Sequence, residues 1–201
     1  MSTTRTVYAD LGAPADGIRR AAYDAALVAG FSLLVALSAQ VAIPLPFTPV
    51  PVTLQTLMVL ATGALLGCRR GAAAILLYLT EGAAGLPVFA MGRSGIAYLA
   101  GPTGGYLAGF FAAAFIAGFI CERGWDRNGL LAFAGLVIAD LAIYVPGLLW
   151  LGAFTGYSRV LVQGAVPFFV ADVLKAAACA ALLPVGWKFL PGGRGPGARG
   201  A

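Results

Sequence analysis

Between Asp24 and Arg69 the chain carries no charged side chain, and only the proline-rich cluster PLPFTPVP at residues 44–51 interrupts the apolar run. Crossing about 30 Å of hydrocarbon takes roughly 20 apolar residues, range about 17–25, because a helix advances about 1.5 Å per residue. Each side of the cluster comes close to that length. The same rule applied along the chain predicts six spans, at 21–43, 52–67, 71–89, 104–121, 129–151 and 164–189. The second is short, so part of the proline-rich segment is expected to dip inward where protein or water, not lipid, surrounds its backbone. Composition agrees: of 201 residues 60% are hydrophobic and 10% charged, with no histidine, against about 25% charged in a typical soluble domain. The expected fold class is an all-α membrane protein with six transmembrane helices.

Lys and Arg set the orientation, because translocating a cationic loop is disfavoured. With both termini inside, the inner segments hold Arg5, Arg19, Arg20, Arg69, Arg70, Arg123, Arg127, Lys188, Arg194 and Arg199, and the outer loops hold only Arg93 and Arg159. The net charge of +5 thus reads as topology and not as a nucleic-acid surface. Residues 1–20 form a cytoplasmic segment, 21–190 a single transmembrane domain, and 191–201, PGGRGPGARGA, a tail without apolar pattern that is expected to be disordered. A cleaved signal peptide at 19–42 competes with the first span, but removing it leaves five spans and spoils the charge pattern.

Soluble chemistry has little support. Cys68, Cys121 and Cys179 have no CxxC spacing and no histidine to complete a zinc set, and they read as free thiols. No G-x-x-x-x-G-K-[ST] loop occurs, so any ATP is hydrolysed by a partner. GRSG at 92–95 matches the short motif of intramembrane serine proteases, but that chemistry needs a histidine base. No convincing internal repeat appears, which argues against two matched transporter halves.

Ionisable residues within spans are costly and usually face a cavity or a partner. Asp172 and Lys175, in FFVADVLKAAAC, are three apart on a helix and therefore share a face. They either neutralise each other or present an acceptor and a donor to a polar solute, and the second is the favoured reading. Asp140 lies at similar depth, placed to pair with Lys175, with Tyr144 one turn outward; a structural role there is as good a reading. Glu81 stands near the outer end of span three, placed to line a site or to pair with Arg93 or Arg159.

Ala97, Gly101, Gly105, Gly109, Ala113 and Ala117 recur every fourth residue, the small-xxx-small pattern of closely packed membrane helices. At the outer end, GPTGG opens span four as a helix N-terminus suited to an anionic or carbonyl oxygen. Arg93, on the adjoining loop, is a planar cationic donor suited to a carboxylate. A carboxylate-bearing solute arriving from outside is the economical inference.

PFTPVPVTLQTL (46–57), YLTEGAAGLPVFA (78–90), GPTGGYLAGF (101–110) and ADVLK (171–175), in that order, resemble BioY, the biotin-specific S component family of energy-coupling factor (ECF) transporters. The resemblance covers about residues 20–190. It implies a six-helix bundle in the bacterial cytoplasmic membrane that captures biotin from outside at high affinity, with no cofactor of its own, while a T component and two ATPases drive uptake. Some members of that family are reported to act without dedicated partners, so a solitary carrier is the alternative.

By resemblance Arg93, Asp172 and Lys175 are polar contacts to biotin, the 44–51 loop with Thr53 and Gln55 is a lid or wall, and Gly104, Gly105 and Tyr106 line the same cavity. The expected division assigns Arg93 to the valerate carboxylate, Asp172 to a ureido N–H, and Lys175 to Asp172 and the ureido carbonyl. The family's first helix meets the T component through small residues at spacing four. Here Ala21, Ala25, Ala29 and Ala22, Ala26, Gly30 form two such rows, which a homodimer would use equally well.

Overall fold

The computed structural model describes residues 6–189; Arg5, Arg194, Arg199 and the tail expected at 191–201 lie outside them. The order is α1 (Gly17–Gln40), β1 (Ala42–Ile43), β2 (Val52–Thr53), α2 (Gln55–Leu66), α3 (Cys68–Ala83), α4 (Ile96–Leu99), α5 (Gly104–Cys121), α6 (Gly129–Thr155), α7 (Val160–Gly164) and α8 (Val166–Phe189). Polar side chains start the helices where the sequence offers them. Asp16 caps α1 by accepting from Ile18 N–H at 3.2 Å, and Asn128 caps α6 by accepting from Leu130 and Leu131 N–H at 3.0 and 3.2 Å. Gly67, at φ 85°, both ends α2 and starts α3, a left-handed turn that a side chain would strain.

Among the described residues, four helical segments are long and apolar enough to cross a membrane: Gly17–Gln40, Gly104–Cys121, Gly129–Thr155 and Val160–Phe189. The windows expected at 52–67 and 71–89 instead hold helices of 12 and 16 residues, about 18 and 24 Å long. Proline and glycine trim them. The proline-rich segment is used up in the β1–β2 hairpin, with Ala42 opposite Thr53, and α3 stops before Gly85 and Pro87. Apolar side chains cover the outside of the bundle, with Leu76 55%, Leu149 64% and Leu182 72% exposed. A belt of that kind is suited to lipid and not to water.

Contacts between connections define two ends. At one, Arg70 in the first turn of α3 pairs with Asp10 at 2.8 Å and Asp24 at 2.9 Å. Cys68 N–H donates to Glu122 at 2.8 Å, and the Trp187 indole N–H donates to Asp126 at 2.6 Å beneath the Arg127 guanidinium. Tyr8 packs on Trp187 at 4.5 Å and donates to the Leu183 carbonyl; burial, then the nearby Asp126 carboxylate, pushes its phenol up to about 12. The described arginines assigned to the inner side gather here. At the opposite end lie the hairpin, Arg93 and the α6–α7 connection with Arg159.

The core between these ends is built around α5, which packs most extensively on α6. Close approach there needs bare backbone: a Cβ on Gly109 would lie 2.8 Å from Ile143 Cα, and one on Gly105 would strike the Pro146 carbonyl. Ala113 and Ala117 are fully buried on the same helix. The small-residue row does not run unbroken, because Ala97 belongs to α4 and Gly101 to the turn before α5. All three cysteines are free and buried.

Candidate ligand site

Asp172 and Lys175 sit one turn apart on α8, and the chain brings three other elements to them. Lys175 Nζ donates to Asp172 Oδ1 at 2.8 Å, to Thr56 Oγ1 at 2.8 Å and to the Thr53 carbonyl at 2.7 Å. Thr56, in the first turn of α2, donates to Asp172 Oδ1 at 2.8 Å. From α6 the Tyr144 hydroxyl donates to Asp172 Oδ2 at 2.6 Å. The carboxylate is 7% exposed and the ammonium side chain 14%. Burial at that depth is tolerable because each charge is both paired and hydrogen-bonded.

The network forms one wall of a cavity. Thr53, Gln55, Thr56, Tyr106, Tyr144, Asp172 and Lys175 supply its polar lining, while Val50, Pro51, Tyr98, Phe110, Ile143 and Phe168 are among its apolar walls. A small number of placed polar groups in an apolar chamber is the usual form of a small-molecule site. Gln55 is fixed by donating to Tyr78 OH at 2.6 Å and accepting from Thr53 Oγ1 at 3.1 Å. Tyr106 is fixed by donating to the Gly164 carbonyl at 2.8 Å. The proline-rich segment contributes Val50 and Pro51 to the wall.

Arg93 does not line this cavity. It lies exposed in an adjoining outer pocket with Pro49, Gly92, Ser94, Gly101 and Pro102, and that pocket shares Tyr98 and Thr103 with the cavity. Its guanidinium stands 5.9 Å from the centre of the Tyr98 ring, and no carboxylate is within ion-pair distance among the described residues. Gly104 and Gly105 are also elsewhere, on a lateral apolar pocket with Leu79, Pro146 and Trp150. A Cβ on Gly104 would strike the Leu99 carbonyl, so the α4 turn closes over this helix N-terminus.

Two further expectations change. Asp140 makes no ion pair with Lys175 among the described residues, because Lys175 spends its three protons on Thr53 of β2, Thr56 of α2 and Asp172; Asp140 is buried with Oδ1 unpartnered. Glu81 meets neither Arg93 nor Arg159 but accepts from Ser32 Oγ of α1 at 2.7 Å. Thr56 and Tyr144 escaped the sequence reading. Thr56 follows Thr53 and Gln55 within one turn, and Tyr144 had been noted only as a neighbour of Asp140. On the first helix Ala21, Ala22, Ala25, Ala26, Ala29 and Gly30 are all exposed.

A profile of the BioY family matches residues 9–192. The chain is 42% identical over 156 residues to the probable biotin transporter BioY of Pyrococcus horikoshii, covering 78% of this chain and 91% of that one. It is 38% identical over 181 residues to the biotin transporter BioY of Rhizobium etli, covering 84% and 96%. Among solved structures it resembles the crystal structure of the S-component for biotin from an ECF-type ABC transporter, with a TM-score of 0.78 over 87% of this chain and 95% of the other. At 23% identity that likeness is one of fold.

Proposed function

Because this chain belongs to the BioY family, we propose that it captures biotin from outside the cell as the substrate-binding S component of an ECF transporter. In this reading a T component and two ATPases supply the drive. The chain is a multi-pass membrane protein, and the proposed topology has six passages, α2 and α3 being two short ones, with both termini cytoplasmic. The convergence of the inner-side arginines on one end of the bundle supports that orientation.

The Asp172 carboxylate carries the assignment to a ureido ligand. A carboxylate offers about four acceptor positions; Tyr144, Thr56 and Lys175 fill three, which leaves one for an N–H of the ligand. Lys175 has no free proton among its described contacts, so it acts by holding the Asp172 carboxylate in place, and the ureido carbonyl turns instead to another polar group of the wall. Tyr98, Phe110 and Phe168 suit the sulfur ring and the aliphatic chain. Thr53, Gln55 and Tyr106 complete the wall, while Gly104 makes room for the Leu99 carbonyl of α4 and Gly105 lets α5 approach α6. Arg93, unpaired in the outer pocket, receives the valerate carboxylate.

Equilibrium binding of labelled biotin to the purified protein, with biotin methyl ester as competitor, tests this reading. Biotin is expected to bind about ten- to a hundredfold more tightly than the ester, the usual worth of a charge-assisted hydrogen bond. Equal affinities would remove Arg93 from its role, and absence of biotin binding would overturn the assignment altogether.

A further inference from the structure

Arg93 stands on a connection that has little structure of its own. Between α3 and α4 the chain passes through a 3-10 turn, Ala90–Gly92, in which Met91 takes φ 60° and ψ 32°, the one non-glycine residue with positive φ among those described. A left-handed residue without a glycine persists where its neighbours are held on both sides. The holding group comes from another element. Gln40, the last residue of α1, donates from Nε2 to the Phe89 carbonyl at 3.2 Å and to its own helix at the Ala36 carbonyl at 3.1 Å. Its Oε1 accepts from Gly92 N–H at 3.0 Å. One amide thus binds the residues two before and one after Met91 and ties them to the end of α1.

The clamp reaches both compartments of the site. Phe89, whose carbonyl it holds, is fully buried, edge-on to Tyr78 and stacked at 5.2 Å on Tyr98. Tyr98 is shared by the cavity and the outer pocket. Gly92, whose N–H it holds, immediately precedes Arg93, and the Arg93 carbonyl in turn accepts from Phe89 N–H at 3.0 Å. We infer that Gln40 is a positioning residue for ligand selectivity, setting the 89–93 turn so that Arg93 faces a carboxylate at the mouth. The inference rests on the reading of Arg93 as the carboxylate receptor. It also makes α1, whose small-residue face is exposed, the helix from which the mouth is held.

The experiment measures the affinities of biotin and biotin methyl ester for wild type, Gln40→Ala, Gln40→Glu and Arg93→Ala in detergent, and takes the ester-to-biotin ratio within each protein. Arg93→Ala is expected to bring the ratio to about one. Gln40→Ala is expected to lower it about five- to tenfold, the worth of about one hydrogen bond, by weakening biotin while the ester stays within about twofold of wild type. Gln40→Glu, which keeps the acceptor for Gly92 N–H and loses the donor to Phe89, is expected to fall between. A Gln40→Ala protein with wild-type selectivity overturns the inference, whether its overall affinity is unchanged or reduced equally for both ligands. Arg93→Ala with wild-type selectivity overturns the reading of Arg93 and the inference with it. Should Gln40→Ala fail to fold, Gln40→Glu decides by the same ratio.

Discussion

Asp172 and Lys175 owe their position in the bilayer to each other, and their two roles separate by mutation. Removing one member of a buried pair strands the other charge and typically costs about 3–5 kcal/mol, whereas replacing both by groups of similar volume is often close to neutral. Asp172→Asn and Lys175→Met are each expected to lower thermal stability in detergent, and the double variant to recover at least half of the combined loss. Biotin binding is expected to fall more than about a hundredfold in Asp172→Asn and to stay lost in the double variant, because the charged two-oxygen acceptor is gone in both and an amide N–H stands in place of one oxygen. Wild-type affinity in Asp172→Asn would sink the assignment. The sequence showed this pair because two charges three residues apart in an apolar helix share a face whatever surrounds them. It did not show Thr56 or Tyr144. Hydroxyls are common in apolar helices, and whether one reaches Asp172, 116 or 28 residues away, depends on how α2 and α6 are rotated. For the same reason the sequence leaves Asp140 open between Lys175 and a structural role, since depth in the membrane is legible and helix rotation is not.

Backbone exposed by glycine serves two ends at the level of elements, and a Cβ distinguishes them. On α5, Gly105 faces the Pro146 carbonyl and Trp150 Cβ of α6 with no room for a methyl group. On α1, Gly30 has nothing within 4 Å of where a Cβ would stand. Gly105→Ala is therefore expected to destabilise the protein by about 1–3 kcal/mol through overpacking. Gly30→Ala is expected to be neutral, or to stabilise by up to about 1 kcal/mol through helix propensity. Thermal unfolding of both variants in one detergent checks the contrast, and equal shifts would refute it. The regular spacing of small residues predicted close packing of α5, and the bounds 104–121 were read from sequence as the structure has them. Which neighbour the glycines meet is not readable from spacing: the family resemblance implies cavity lining for Gly104 and Gly105, and the fold sets them against Leu99 and Pro146. The second span reads as short from sequence, but the early end of α3 does not, because hydropathy measures an apolar run and not where proline and glycine stop the helix within it.

For the molecule as a whole, the proposed function separates into capture at one end and release toward the other. The described residues contain four span-length helical segments, and in the proposed reading a T component and two ATPases supply the drive. Ala22, Ala26, Ala29 and Gly30 are exposed on α1, where small side chains permit close approach of another helix, and docking is proposed there. In the proposed reading capture involves the opposite end of that helix and the cavity, so capture and docking should separate. Ala26→Trp is expected to bind biotin with wild-type affinity, because Ala26 is exposed and no residue of α1 lines the cavity. In cells that also produce a T component and its two ATPases, the same variant is expected to lose most of its uptake, since an indole on this face prevents a close helix contact. The comparison is completed by cells lacking those subunits, where wild type is expected to bind biotin without accumulating it. Uptake there that is indifferent to Ala26→Trp would establish the solitary carrier instead. Uptake there that Ala26→Trp abolishes would make α1 the seam of a homodimer, the other assembly its small residues allow.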